Sequence, residues 1–150
     1  LATILARHPK LLILDEPMSG LDPVARSQVM DLFLEFIQDG EHSVFLSTHI
    51  TTDLEQAVDY ITFIHEGKLV FSQEKDRVLE EYGLAQGTEE ALKSLGPDVF
   101  IAMRKGRYHA KGLVNNRQVA ARRDPCLLVE PARLEDIMVM MAKEEESWLG

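Results

Sequence analysis

Cysteine is nearly absent. Cys126 is the lone one in 150 residues, so no internal disulfide can form and no cysteine-based metal site can be built. A buried structural thiol is the expectation for it. Long apolar runs are missing too: nothing approaches the roughly 20 residues that a spanning helix needs, and the N-terminus lacks a basic segment followed by an apolar core. The expectation is a cytosolic, reducing compartment with any membrane role peripheral. Glycine and proline, at 9 and 6 residues, are too few for collagen or a low-complexity chain. Positive charge is also short. Lys and Arg number 16 against 25 Asp and Glu, a net charge of -9, which disfavours general nucleic-acid binding. The five histidines, His8, His42, His49, His65 and His109, show no zinc-like spacing.

What is present is a globular composition, 45% hydrophobic and 27% charged, enough for one domain or one compact lobe with an appendage. Charge is uneven, net -7 over residues 1–75 and -2 over 76–150. Leu1 to Arg7 reads as the end of an uncapped helix, broken by Pro9, so the chain looks like a fragment cut inside an element. Leu11-Leu12-Ile13-Leu14 is an uninterrupted apolar run, the pattern of a parallel strand buried on both faces. Pro23 opens a helix whose apolar positions Val29, Leu32, Phe33, Phe36 and Ile37 recur until Asp39-Gly40. Ser43 to Ser47 is a second strand, and Thr52 with Glu55 forms a capping box before Leu54, Ala57 and Val58. Tyr60 to His65 and Lys68 to Ser72 flank Glu66-Gly67 as a hairpin. Strand, helix, strand, helix, hairpin is α/β.

After about residue 74 the pattern shortens, with turns at Tyr82-Gly83, Gly96-Pro97 and Asn115-Asn116. Helices from Thr88 to Leu95 and Arg133 to Glu145 enclose candidate strands at Val99 to Met103, Tyr108 to Val114 and Cys126 to Val129. A small α+β appendage is expected over residues 75–150. In it, Leu134, Ile137, Met138, Met141 and Ala142 recur as a helical core stripe, and Glu144-Glu145-Glu146 reads as a solvated end. Between Arg104 and Arg123 stand seven basic residues and no acid: Arg104, Lys105, Arg107, Lys111, Arg117, Arg122 and Arg123. That stretch reads as a solvated hairpin with basic faces, and it is the best electrostatic partner site of the second half.

The residues with the most chemistry are Asp15 and Glu16, directly after the Leu11–Leu14 strand. In doubly wound sheets, ligands bind beyond the carboxyl ends of the strands, so two acids there face a site. Adjacent residues point different ways, so Asp15 can hold Mg²⁺ while Glu16 addresses an attacking water. Ser19-Gly20-Leu21-Asp22 follows at once, and Ser47-Thr48-His49 closes the next strand.

Together these residues resemble the nucleotide-binding subunits of ATP-binding-cassette (ABC) transporters. Leu11 to Pro17 is similar to the Walker B strand with its catalytic glutamate, Ser19 to Asp22 to the D-loop, and His49 to the switch histidine. The resemblance covers residues 1–74 and implies the C-terminal part of a P-loop NTPase-type parallel sheet. Residues 75–150 resemble, more weakly, the extension of exporter-type cassettes. It implies ATP and Mg²⁺ as cofactors, with Asp15 as the metal residue and Asp15, Ser19 and Asp22 at the nucleotide. Glu16 and His49 would be catalytic. It also implies a second ATPase subunit in an ATP-sandwich dimer, a transmembrane permease as partner, and a cytoplasmic, peripheral place on the inner face of the cell membrane.

No Gly-x-x-x-x-Gly-Lys-[Ser/Thr] loop and no Leu-Ser-Gly-Gly signature occur in the chain. The loop's backbone cradle and lysine bind the phosphates, so these residues alone are expected to be inactive. The incomplete sheet should expose an apolar edge and favour oligomers. The leading function is therefore an ATPase subunit powering an exporter. Two other readings stay open: a soluble cassette ATPase acting on ribosomes or DNA, and a regulatory module that binds a partner through residues 75–150.

Overall fold

The computed structural model describes residues 9–106 and 109–147. The helix end expected over Leu1–Arg7 lies outside these residues, as do Arg107 and Tyr108. The chain divides into two compact units, Leu1–Ala57 and Val58–Gly150.

The described part of the first unit is a parallel crossover with one more helix. Strand β1 (Leu11–Asp15) leads through α1 (Pro23–Ile37) to β2 (Ser43–Ser47), and α2 (Thr51–Ala57) follows. Leu12 pairs with Val44 and Asp15 with Ser47 in parallel register. Helix α1 starts where Asp22 accepts from the backbone N–H of Val24 and Ala25, with Pro23 pre-set for the first turn. Thr52 falls inside the first turn of α2 rather than ahead of it.

One expectation is corrected here. The β1 run is buried on one face only: Leu12 is buried, but Ile13 is 72% exposed and its register partner Phe45 62%. Among the described residues this sheet has two strands, and α1 packs against β2.

The second unit opens with an antiparallel hairpin, β3 (Tyr60–His65) and β4 (Lys68–Glu74). Glu66 and Gly67 both have positive φ, 47° and 73°, the turn that matches strand twist. Ile61, Phe63 and Phe71 fill its buried face. Then come α3 (Lys75–Glu81), β5 (Gly83–Gly87), α4 (Glu89–Ser94), β6 (Phe100–Lys105), β7 (Ala110–Val114), α5 (Arg117–Arg123), β8 (Leu128–Pro131) and α6 (Leu134–Ser147). From β5 to β8 the order is strand-helix-strand-strand-helix-strand in an antiparallel sheet ordered β6-β7-β5-β8. That is the split βαβ, or ferredoxin-like, arrangement, a definite form for the expected α+β appendage.

Helices α4 and α5 cover one face, where Ala85, Leu92, Leu95, Val114 and Ala120 form a core. Leu113 lies between Gly112 and Val114 in β7 and so points to the opposite face. It is fully buried, as are Leu134 and Ile137 of α6, which packs against β6 and supplies the cover. Of the expected stripe, Leu134 and Ile137 are core, whereas Met138, Met141 and Ala142 are half-buried and Met140, outside that stripe, is the buried methionine.

Three further expectations change. Gly83 is not in a turn but in a central strand: a Cβ there would lie 2.7 Å from the Arg117 Cβ and 3.1 Å from the Glu130 carbonyl oxygen, so α5 requires a glycine beneath it. The basic stretch is not a hairpin alone, because Arg117 to Arg123 form α5, capped by Asn116. Cys126 is exposed, in the loop between α5 and β8.

Arg123 ties that helix to the α4–β6 loop by donating to Asp98 Oδ1 at 2.8 Å and to the Leu95 carbonyl. The hydrogen bond from Arg123 holds the Asp98 carboxyl below the ordinary aspartate range. A depressed carboxyl contributes stability above the unfolded-state value that is lost as pH falls through the folded one. The Asp98→Asn protein is therefore expected to be less stable than the parent at neutral pH and equal to it well below pH 3.8, measured by urea midpoints across pH.

Candidate functional site

The site lies at the carboxyl ends of the two parallel strands. Register sets it: Asp15 and Ser47 are the last residues of β1 and β2 and are direct partners. The Ser47 hydroxyl donates to Asp15 Oδ1. The backbone N–H of Glu16 donates to the Ser47 carbonyl at 3.0 Å and to its hydroxyl oxygen at 3.3 Å. Glu16 itself has φ 45°, a left-handed conformation that costs a non-glycine residue about 1 kcal/mol or more. Those two bonds hold it there, and the turn aims its carboxyl at the neighbouring loop.

His49 stands in that loop, two residues past β2 and 73% exposed, with Nδ1 2.8 Å from Glu16 Oε1. An ionised carboxylate only accepts, so Nδ1 carries the proton in this pair. Neutral His49 then presents Nε2 as an acceptor, and donation from Nε2 requires the imidazolium. The second Glu16 oxygen, Oε2, is buried and has no hydrogen-bond partner among the described residues. An orphaned carboxylate oxygen beside a histidine is an arrangement with capacity left to accept a proton or a water's hydrogen.

Asp15, Glu16 and His49 are thus joined into one hydrogen-bonded group through Ser47. Ser19 and Asp22 lie in the loop that follows. Ser19 is exposed and donates its N–H to the Glu16 carbonyl at 3.1 Å, and Gly20 with φ 75° turns the chain. Asp22 spends one carboxylate oxygen capping α1. Ser47 carries no site signal of its own in the sequence. Its role depends on strand register, which Ser-Thr-His by itself does not disclose.

Asp15 offers hard oxygen, the donor type that Mg²⁺ takes, and Oδ1 alone is engaged by Ser47. The described residues contain no cluster of three or more His, Cys, Asp or Glu fit to hold a metal. A single carboxylate suits a Mg²⁺ ion that brings phosphate oxygens and waters of its own.

No family model matches the chain. Curated relatives do. The chain is 41% identical over 70 residues to the bacitracin transport ATP-binding protein BcrA of Bacillus licheniformis, covering 47% of this chain and 23% of the relative. It is 40% identical over 76 residues to the lantibiotic transport ATP-binding protein SrtF of Streptococcus pyogenes, 51% of this chain and 33% of that one. The energy-coupling factor transporter ATP-binding protein EcfA2 of the same species is 34% identical over 86 residues, 57% of this chain and 30% of the relative. Among solved structures, cbiO1 of Clostridium perfringens, described as part of the ABC transporter complex cbiONQ, is similar with a TM-score of 0.47 and 31% identity. That match covers 51% of this chain and 31% of that one. The chain therefore spans a third or less of the length of these curated relatives, and its homologues over about half its own length are ABC transporter ATP-binding proteins.

Proposed function

We propose that this chain, as a partial ABC ATPase, carries the water-activating half of a nucleotide site whose turnover powers a membrane transporter. The observation that carries the reading is the group Asp15–Ser47 and Glu16–His49, assembled by hydrogen bonds at the ends of two parallel strands. A Mg²⁺ ion bound with ATP would neutralise phosphate charge, with Asp15 as the protein's hard ligand. Glu16 orients a water and accepts its proton through the oxygen that has no partner among the described residues. His49 reads the γ-phosphate, and its bond to Glu16 keeps the two side chains in one geometry.

The rest of the proposal follows the resemblance and the relatives. The ATPase portion runs through residue 74 and residues 75–150 are an extension. Ser19 to Asp22 face a second ATPase subunit in a dimer, and a transmembrane permease is the other partner. Export is the proposed direction, with the protein peripheral on the inner face of the cell membrane. Among the described residues no helix is long and apolar enough to cross a membrane. The single test is ATP turnover by this chain beside a longer protein that includes a phosphate-binding loop. The longer protein is expected to turn over ATP and this chain to show none; Glu16-dependent turnover by this chain alone contradicts the proposed inactivity.

One observation favours a second role. The split βαβ over residues 83–131 has a core of its own, so residues 75–150 expressed alone are expected to fold, as a regulatory module would.

A further inference from the structure

The four-stranded sheet carries one row of side chains that its own packing does not explain. Arg104 of β6 pairs in register with Lys111 of β7, Lys111 with Gln86 of β5, and Gln86 with Leu128 of β8. Register partners share a face, so these four stand side by side across the sheet. The face is the one α6 covers. In the next row along it Ala102, Leu113 and Leu84 are buried and Glu130 of β8 is exposed, whereas in this row Arg104 and Lys111 are exposed and Leu128 is 57% exposed.

Two cations directly opposite each other across a strand pair repel, and each destabilises the sheet. Neither has an ion pair among the described residues. Two other cations of the basic stretch are paired: Lys105 lies 2.9 Å from Glu89 and Arg123 clasps Asp98. On the open face the carboxylate of Glu130 is engaged by Gln86 Nε2 at 3.1 Å, two strands away from Lys111. Among the described residues the Arg104–Lys111 pair is therefore an uncompensated local cost, the kind of inconsistency that marks a contact made with something else.

We propose that this row is a docking surface for an anionic phospholipid membrane, with Arg104 and Lys111 on headgroup phosphates and Leu128 at the interfacial level. Charge complementarity selects the occupant: the chain is net -9, so an anionic surface repels most of it and turns the cationic row inward. The apolar Leu128 at the other end of the same row suits a headgroup boundary better than a nucleic-acid backbone. The inference does not rest on the ATPase reading, and its failure would leave that reading untouched.

The test is flotation of this chain with phosphatidylcholine vesicles, with and without phosphatidylglycerol. Flotation is expected with the anionic vesicles alone, falling as salt rises. Lys111→Glu turns the like-charged pair into an ion pair with Arg104. It is expected to weaken vesicle binding roughly fivefold or more while holding or raising the thermal midpoint. Arg104→Gln should weaken binding in the same sense without affecting the core. Flotation of Lys111→Glu equal to the parent overturns the proposal. So does a parent protein that ignores anionic vesicles, or one that instead retards a DNA oligonucleotide or captures a poly-glutamate peptide in an Arg104-dependent way.

Discussion

In a longer protein that supplies a phosphate-binding loop, exchanging Glu16 for Gln is expected to lower ATP turnover by roughly two to four orders of magnitude and to leave Mg-ATP binding intact. The amide keeps the size of the side chain and can still accept from His49 through its oxygen, so the loop geometry of the parent survives. What it loses is basicity. On the proposed assignment that basicity resides in the Glu16 carboxylate, whose Oε2 is buried and without a partner among the described residues. Binding persists because phosphate charge is met elsewhere. A steady-state phosphate assay with nucleotide titration separates the two effects: a fall in turnover with unchanged nucleotide affinity supports the assignment. A matched loss of both would make Glu16 a structural acid that holds the His49 loop.

The largest stability effect is expected from Leu113→Ala. Leu113 sits in β7, paired on both sides by β5 and β6, and has no exposed surface. Truncating it removes about three methyl-equivalents of buried surface and leaves a cavity between the sheet and α6, for a cost of about 3 kcal/mol. Leu128→Ala, 57% exposed in the edge strand β8, is the matched control and should change stability by no more than about 0.5 kcal/mol. Urea denaturation followed by circular dichroism measures both. Equal effects at the two positions would mean that the sheet and α6 do not pack as described.

Legibility of the sequence varied by element for physical reasons. Strand β1, helix α1, strand β2 and the hairpin announced themselves because each carries its own signal: an apolar run, a capped amphipathic stretch, a left-handed turn at Glu66-Gly67. The candidate site was legible because its chemistry is adjacent in sequence, Asp15 beside Glu16, with His49 one crossover later. Ser47 was not, since hydrogen bonding across parallel strands depends on register.

The second unit hid more. β5 reads Gly-Leu-Ala-Gln-Gly and has none of the β-branched or aromatic residues that mark strands. It is a strand because β7 and β8 pair with it on both sides, and it carries glycines because Arg117 and Leu127 approach too closely for a side chain at Gly83 or Gly87. Arg117 to Arg123 was obscured by its charge, and its helix is set by the Asn116 cap and by Ala120 in the core. α3, Lys75 to Glu81, is short and buries Val78, too little periodicity to read. Tertiary packing decided all three.

Asp15, Glu16 and His49 are proposed to form part of an ATP site. Calorimetric titration of Mg-ATP tests it most directly, run on this chain and on a longer protein that includes a phosphate-binding loop. Binding by the longer protein alone, weakened by Asp15→Asn, is the result expected. Binding by neither would contradict an ATP site here and reduce Asp15 and Glu16 to acids that end a strand.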